Sequence, residues 1–188
     1  MSNELRRIYQ LKVTLKDSKP PIWRRIIVQD SVLLSEFHEI LQIVMGWEDT
    51  HLHLFIANGR FYGVPGHNPG LTEILDESKF RLNELLKKVK ESIIYEYDLG
   101  DSWEHKVTLE KIIPYDPAIA VPRCIKAKGA CPPEDVGGIW GYYDFLEAIS
   151  DPSHPEHDEY KEWVGGEFDP SEYDIEEVNK LLSEYFSG

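Results

Sequence analysis

The chain has 188 residues, 41% hydrophobic and 12% aromatic, enough for one good core and too apolar for a disordered segment. Its formal charge is −14, from 20 Lys and Arg against 34 Asp and Glu; nucleic-acid affinity comes mainly from cations on phosphates, so direct nucleic-acid binding is disfavoured. No apolar run nears the roughly 20 residues of a membrane helix, and the start reads without the apolar core of a signal peptide, so a cytoplasmic location and no membrane partner are expected.

Residues 8–16, IYQLKVTLK, alternate apolar and polar positions, which predicts a half-buried strand. Pro20 and Pro21 break it, and IWRRIIVQ reads as an antiparallel neighbour. Phe37, Ile40, Leu41, Val44 and Met45 follow helical spacing, with Ser35 as the expected N-cap and Gly46 as the left-handed stop. HLHLFIANGRFYGV predicts a hairpin turning at Asn58–Gly59. Pro65 to Lys79 reads as a loop, and a short helix is expected around Asn83–Lys88. SIIYEYDLGDSWEHKVTLEKI predicts a second hairpin. Residues 114–138 hold five prolines and little periodicity, and read as a long ordered loop. Helical patterns follow at Tyr142–Ile149, Glu156–Val164 and Asp174–Phe186.

These elements predict an α+β fold: a mixed or antiparallel sheet of about five or six strands, one early inserted helix and a helical C-terminal lobe. One domain over 1–188 is expected, sheet-rich to residue 113 and loop-plus-helical from 114 to 188. Most of the negative charge lies after Ser150, where twelve acidic residues face only Lys161 and Lys180; a solvated helix face explains it most simply.

The second hairpin is the first candidate surface. If Leu99–Gly100 form its turn, Glu96, Asp98, Asp101, Trp103 and His105 share one face, where carboxylates beside an imidazole suit a divalent cation or acid–base work. A one-residue shift instead buries Trp103, His105, Val107 and Leu109 and leaves Asp98 and Asp101 as turn formers. His51 and His53 stand at the i, i+2 spacing that can present two imidazoles to a metal, with His105 and Asp101 as further candidate ligands; two polar surface histidines are the plainer reading. The stretch GACPPEDVGG, residues 129–138, is a loop stiffened by Pro132 and Pro133 and turned by Gly137 and Gly138 into a helix expected near Gly141. It either docks the C-terminal lobe or holds Cys131, Glu134 and Asp135 over the second hairpin. Cys124 and Cys131 are too few for a disulfide framework and lack zinc-knuckle spacing. Trp23, Arg24 and Arg25 form the clearest basic and aromatic cluster, best explained by an ion pair with a carboxylate. No phosphate loop, nucleophile elbow, zincin helix or dinucleotide fingerprint is present.

Read together, PPIWRRIIV, HEILQIVMGWEDTHLHLF, YEYDLGDSWEHKVTLE, CPPEDVGGIWGYYDFLEAI and EFDPSEYDIEEVN, in that order, resemble the plasmid pRiA4b ORF-3-like family of small bacterial and archaeal proteins. The resemblance runs from about Tyr9 to Asn179 and implies a compact α+β domain with little assigned chemistry. It also implies a further cysteine where this chain has Val136, a departure that weakens thiolate–metal chemistry. The leading expectation is a non-catalytic binding module for a protein or small ligand. The rival is a metal-dependent, hydrolase-like enzyme holding a divalent ion near the two hairpins. A plasmid- or recombination-associated nucleic-acid role ranks third on charge.

Overall fold

The computed structural model describes residues 5–67, 70 and 73–187. Its strands are β1 (Arg7–Leu15), β2 (Trp23–Gln29), β3 (His53–Ala57), β4 (Arg60–Gly63), β5 (Leu75–Asp76), β6 (Ser92–Tyr97), β7 (Trp103–Pro114) and β8 (Arg123–Lys128). They form one sheet in the order β5-β4-β3-β6-β7-β1-β2-β8, antiparallel except for β4 with β5. The sheet therefore has eight strands rather than five or six. The two extra strands lie inside stretches expected to be loops. β5 is two residues long, and β8 has a single fully buried side chain, Cys124, beside a bulge opposite Arg25 and Ile26. The GVPGHNPG stretch within the first of those loops falls partly outside the described residues.

The helices are α1 (Leu34–Met45), α2 (Leu82–Leu85), α3 (Gly138–Ser150), α4 (His157–Trp163) and α5 (Ile175–Phe186). α1 starts earlier than the Ser35 cap implied. Leu33 occupies the N-cap position, its N–H bonded to the Glu36 carboxylate at 3.3 Å, and the Leu34 N–H bonds to the Phe80 carbonyl. The tertiary bond at Phe80 fixes the first turn, so the side-chain cap is not needed. α1 ends at Gly46, left-handed at φ 109° as expected, and the Asn58–Gly59 turn has both central residues at positive φ, as a type I′ hairpin requires. α3 begins three residues before Gly141, and α2 is shorter than its pattern.

Alternate residues of β1, β2 and β7 face the helices: Tyr9, Leu11, Val13 and Leu15, then Ile26 and Val28, then Trp103, Val107 and Leu109 pack with Phe37, Leu41, Val44 and Met45 of α1. Arg24 stands in that same buried face with no accessible surface. Among the described residues it pairs with no carboxylate. Its Nε donates to the Val44 carbonyl at 2.8 Å, Nη2 to Met45 at 3.2 Å, and Nη1 to Trp23 and Lys128 at 3.0 and 3.1 Å. The guanidinium also lies 3.9 Å from the centre of the Tyr173 ring. The expected carboxylate partner belongs to Arg25 instead, which makes a two-pronged pair with Glu110. At the sheet's far edge the Asn179 side chain of α5 bonds both the N–H and the carbonyl of Cys124 at 2.8 Å, substituting for a ninth strand.

Arg24→Met keeps the volume and removes the guanidinium donors to the end of α1, leaving Val44 with the Tyr173 hydroxyl alone and the Met45 carbonyl without that partner. The expected loss is about 3 kcal/mol, read as a fall in melting temperature of roughly 6–12 °C for a chain of this size. Arg24→Lys, lacking the planar fork, recovers less than half of that. A midpoint within about 2 °C of the parent for Arg24→Met would show that the guanidinium is not a keystone.

Candidate metal centre

Three segments far apart in sequence converge beside the β6–β7 turn: the loop between α1 and β3, the turn itself, and the loop before α3. The first delivers His51, and the other two deliver Asp98 and Glu134, each with one carboxylate oxygen anchored and the other free. Asp98 adopts φ 59°, and its Oδ1 accepts the N–H groups of Gly100 and Asp101 at 3.1 and 3.2 Å. That is the local bonding for which Asp is favoured in turns, and it leaves Oδ2 pointing away from the turn. Glu134 Oε1 accepts the Glu48 N–H at 2.8 Å and the Tyr97 hydroxyl at 2.9 Å, and Oε2 remains. Tyr97 is well placed to donate because burial, ahead of all other influences, pushes its hydroxyl up to about 12. The same hydroxyl accepts the Thr50 N–H at 3.0 Å, and the Asp49 N–H bonds to the Gln42 side chain at 2.8 Å. The residues before His51 are therefore tied to α1 and β6 on both sides.

The free ends meet. His51 Nε2 lies 2.7 Å from Asp135 Oδ1, 3.5 Å from Asp98 Oδ2 and 3.9 Å from Glu134 Oε2. Ligand atoms of His51, Asp98 and Asp135 all fall within 4.8 Å of one another. Yet His51 Nε2 and Glu134 Oε2 are buried atoms with no hydrogen-bond partner. The short approach to Asp135 is thus not aligned as a hydrogen bond. Among the described residues, no Lys or Arg comes within ion-pair distance of Asp98, Glu134 or Asp135. Two ligands bound at about 2.1 Å to one ion are at most about 4.2 Å apart; all three separations from His51 meet that limit, although Glu134 stands outside the mutually close group of His51, Asp98 and Asp135.

Close backbone contact holds the loop in place. Gly138 adopts φ 72°, and a Cβ there would stand 2.5 Å from the Asp101 carbonyl, so only glycine lets α3 begin against the turn. The Gly137 N–H donates to Asp101 Oδ2 at 3.1 Å. Asp135, at φ 62°, projects its side chain to the surface with 65% exposure, which leaves one side of the cluster open to solvent.

The family model described as plasmid pRiA4b ORF-3-like protein matches residues 7–177. The chain belongs to this family. It is 37% identical over 180 residues to the uncharacterised protein y4hQ of Sinorhizobium fredii (strain NBRC 101917 / NGR234), covering 94% of this chain and 91% of the relative. It is also similar to the crystal structure of the protein of unknown function MM3350 from Methanosarcina mazei Go1, with TM-score 0.84 and 36% identity over 93% of this chain and 98% of that one. Neither relative carries an activity in its name. No helix among the described residues is long and apolar enough to cross a membrane.

In this pRiA4b ORF-3-like protein the expected site residues separate into two groups. His51, Asp98, Glu134 and Asp135 come together, with Asp101 behind them as the acceptor for Gly137. The others do not join. Trp103 pairs with Tyr97, not with Glu96, so the hairpin register is one residue away from the shared acidic face. Trp103 and His105 consequently enter the core, while Glu96 lies opposite Glu104 and accepts the Ser102 hydroxyl. His53 is the first residue of β3 and turns inward, bonded to buried Glu77 at 2.7 Å and stacked on His38 at 3.5 Å. His51 precedes the strand, so the i, i+2 alternation never applies to the pair. Cys131 packs on the turn at Gly46, and burial pushes its thiol far above the ordinary range, so the free thiolate is disfavoured at neutral pH. Both cysteines are free thiols, Cys124 buried and Cys131 partly so.

His105 has both ring nitrogens engaged: Nδ1 donates to the Tyr95 carbonyl at 3.0 Å and Nε2 accepts the Trp47 indole N–H at 3.1 Å. Protonating Nε2 would set two N–H groups against each other. Burial, reinforced by nearby Arg24, lowers its pKa from the ordinary 6.5 to about 4. Between those values the unfolded chain holds the extra proton, so stability falls as pH drops from 6.5 to about 4. The loss expected from this group is about 3 kcal/mol. His38, lowered by burial and by His53, adds in the same direction. Urea unfolding followed across that range should show the slope, and His105→Asn should flatten it; an unchanged slope in the variant would remove His105 as its source.

Proposed function

We propose that this protein binds one divalent transition-metal ion through His51, Asp98, Glu134 and Asp135, and that the ion's solvent-facing side receives a small oxygen-donor ligand. The observation that carries the proposal is the pair of buried atoms without a hydrogen bond, His51 Nε2 and Glu134 Oε2, 3.9 Å apart, with Asp135 Oδ1 and Asp98 Oδ2 at 2.7 and 3.5 Å from the imidazole nitrogen. Leaving such atoms unpaired costs about 1–3 kcal/mol each, and more where a charge is buried. Three carboxylates gathered around a single imidazole also repel one another. A dication removes both penalties at once.

The donor set favours particular ions. One imidazole with carboxylate oxygens suits Mn²⁺, Fe²⁺ or Zn²⁺; Ca²⁺ and Mg²⁺ prefer oxygen alone, and soft ions prefer the thiolates that are absent here. Glu48 N–H, Tyr97 and the Asp98 turn orient the ligand oxygens in the way that outer partners of metal sites do. A bound ion would supply Lewis acidity on the open side near Asp135. The chain's own part is to fix the ligands and keep the ion's inner side dry.

Titration calorimetry on untagged, chelator-treated protein should give one site per chain for Mn²⁺ or Zn²⁺. At a metal concentration about one hundred times Kd the melting temperature should rise roughly 5–10 °C. His51→Ala should abolish the rise, and Asp135→Asn should weaken binding about tenfold or more, each with the metal-free midpoint close to the parent's. Absence of saturable binding, or equal binding by His51→Ala, would overturn the reading.

A further inference from the structure

The sheet face turned away from α1 carries a second surface, built independently of the metal reading. On β1, Lys12 and Thr14 point outward between buried Leu11, Val13 and Leu15; on β2, Trp23 and Arg25 flank buried Arg24. Register then sorts the outward residues into two adjacent rows. Lys106, Thr14, Trp23 and Lys128 form one, across β7, β1, β2 and β8. Thr108, Lys12, Arg25 and Lys126 form the next. Three strand spacings make each row about 14 Å wide.

Five cations and one indole thus share a small open area, in a chain where Asp and Glu outnumber Lys and Arg 34 to 20. Lys106, Lys126 and Lys128 are exposed, and Trp23 is half-buried. Lys12 Nζ and Arg25 Cζ lie 4.9 and 5.2 Å from the Trp23 ring centre, so the indole is embedded in the positive field. Among the described residues only Arg25 of the five is neutralised by a carboxylate, Glu110.

We propose that this face binds single-stranded nucleic acid, with phosphates on the lysines and an unpaired base on Trp23. Charge complementarity calls for a polyanion, and the central aromatic selects one that also offers a flat π-face. An acidic peptide supplies only the charge. A duplex hides its bases and is read by elements that enter a groove, which a broad sheet face does not do. The net charge of −14 opposes approach only weakly: it is screened beyond about 8 Å at physiological salt, and twelve of the acidic residues are collected after Ser150.

The test is fluorescence anisotropy of a labelled oligothymidylate of about 12 nucleotides with untagged protein. Four phosphate contacts predict a log–log salt slope near −3, a loss of roughly fifty-fold between about 50 and 200 mM salt. Trp23→Leu should weaken binding by about 5- to 100-fold. The double variant Lys126→Glu, Lys128→Glu, confined to exposed positions, should weaken it at least about tenfold and make the slope shallower; it carries the test if Trp23→Leu disturbs folding. No binding at about 50 mM salt, or affinity unchanged in the charge variant, would overturn the proposal. So would equal or tighter binding of a same-length duplex, of polyglutamate, or of phosphatidylserine vesicles, each of which would put another occupant on the face.

Discussion

A single buried guanidinium links the parts of the molecule that have to agree with one another. Arg24 projects from β2 into the core and bonds the last carbonyls of α1, the Lys128 carbonyl at the end of β8 and, through its face, the Tyr173 ring from the chain before α5. Burying a cation without a counter-ion is costly. Here the negative ends of backbone dipoles stand in for that counter-ion, and the C-terminus of a helix is where such dipoles point outward with no internal partner. The arrangement works only if α1, β2, β8 and the Tyr173 segment are all in place, so one side chain couples the sheet to the C-terminal lobe. Tyr173 closes the circuit by donating its own hydroxyl to the Val44 carbonyl at 2.7 Å.

The geometry of the His51–carboxylate cluster depends on that coupling. Gly46, Trp47 and Glu48 follow directly from the helix end that Arg24 fixes, and the loop they begin carries His51. Cys131, packed on Gly46, continues through Pro132 and Pro133 to Glu134. The two loops that must face each other therefore leave from one clamped point. The third contributor, the β6–β7 turn, is set by strand register, and Gly138 presses α3 against its backbone. Such a cluster of like charges survives because Asp98 and Glu134 each have one oxygen held by local N–H or O–H donors, while Asp135 keeps its carboxylate largely in solvent.

Much of this architecture is legible in the sequence. The alternation of residues 8–16, the Asn58–Gly59 turn and the α1 periodicity each rest on short-range physics that the fold leaves intact. β5 and β8 escape because a two-residue strand has no period, and an edge strand bonded by a bulge and an asparagine buries almost nothing. The second hairpin shows how a small error propagates. Ser102, at φ 56°, joins Asp98 among the left-handed residues, lengthening the turn by one and pairing Tyr97 with Trp103. That shift sends His105 into the core and releases Asp98 to the cluster. The loop 129–138 is conspicuous for its Pro, Asp and Gly content, yet its meeting with His51 is a tertiary fact that spacing does not encode.

Charge shows the same limit from another side. Counting residues describes the chain as acidic without a basic stripe, and each strand supplies only one or two cations at alternate positions. Pleating then puts those positions on one face, and antiparallel register lines them up across four strands, so a patch appears that no linear window contains. The inward partners of the same residues, Leu11, Val13, Arg24 and Val107, hold the core. One alternation thus does two jobs: what it buries fixes the fold, and what it leaves outside concentrates the lysines and Trp23 on a surface distinct from the acidic cluster at the hairpin turn. An acidic protein can in this way keep its self-repelling net charge and still present a local positive field that acts within a screening length of its surface.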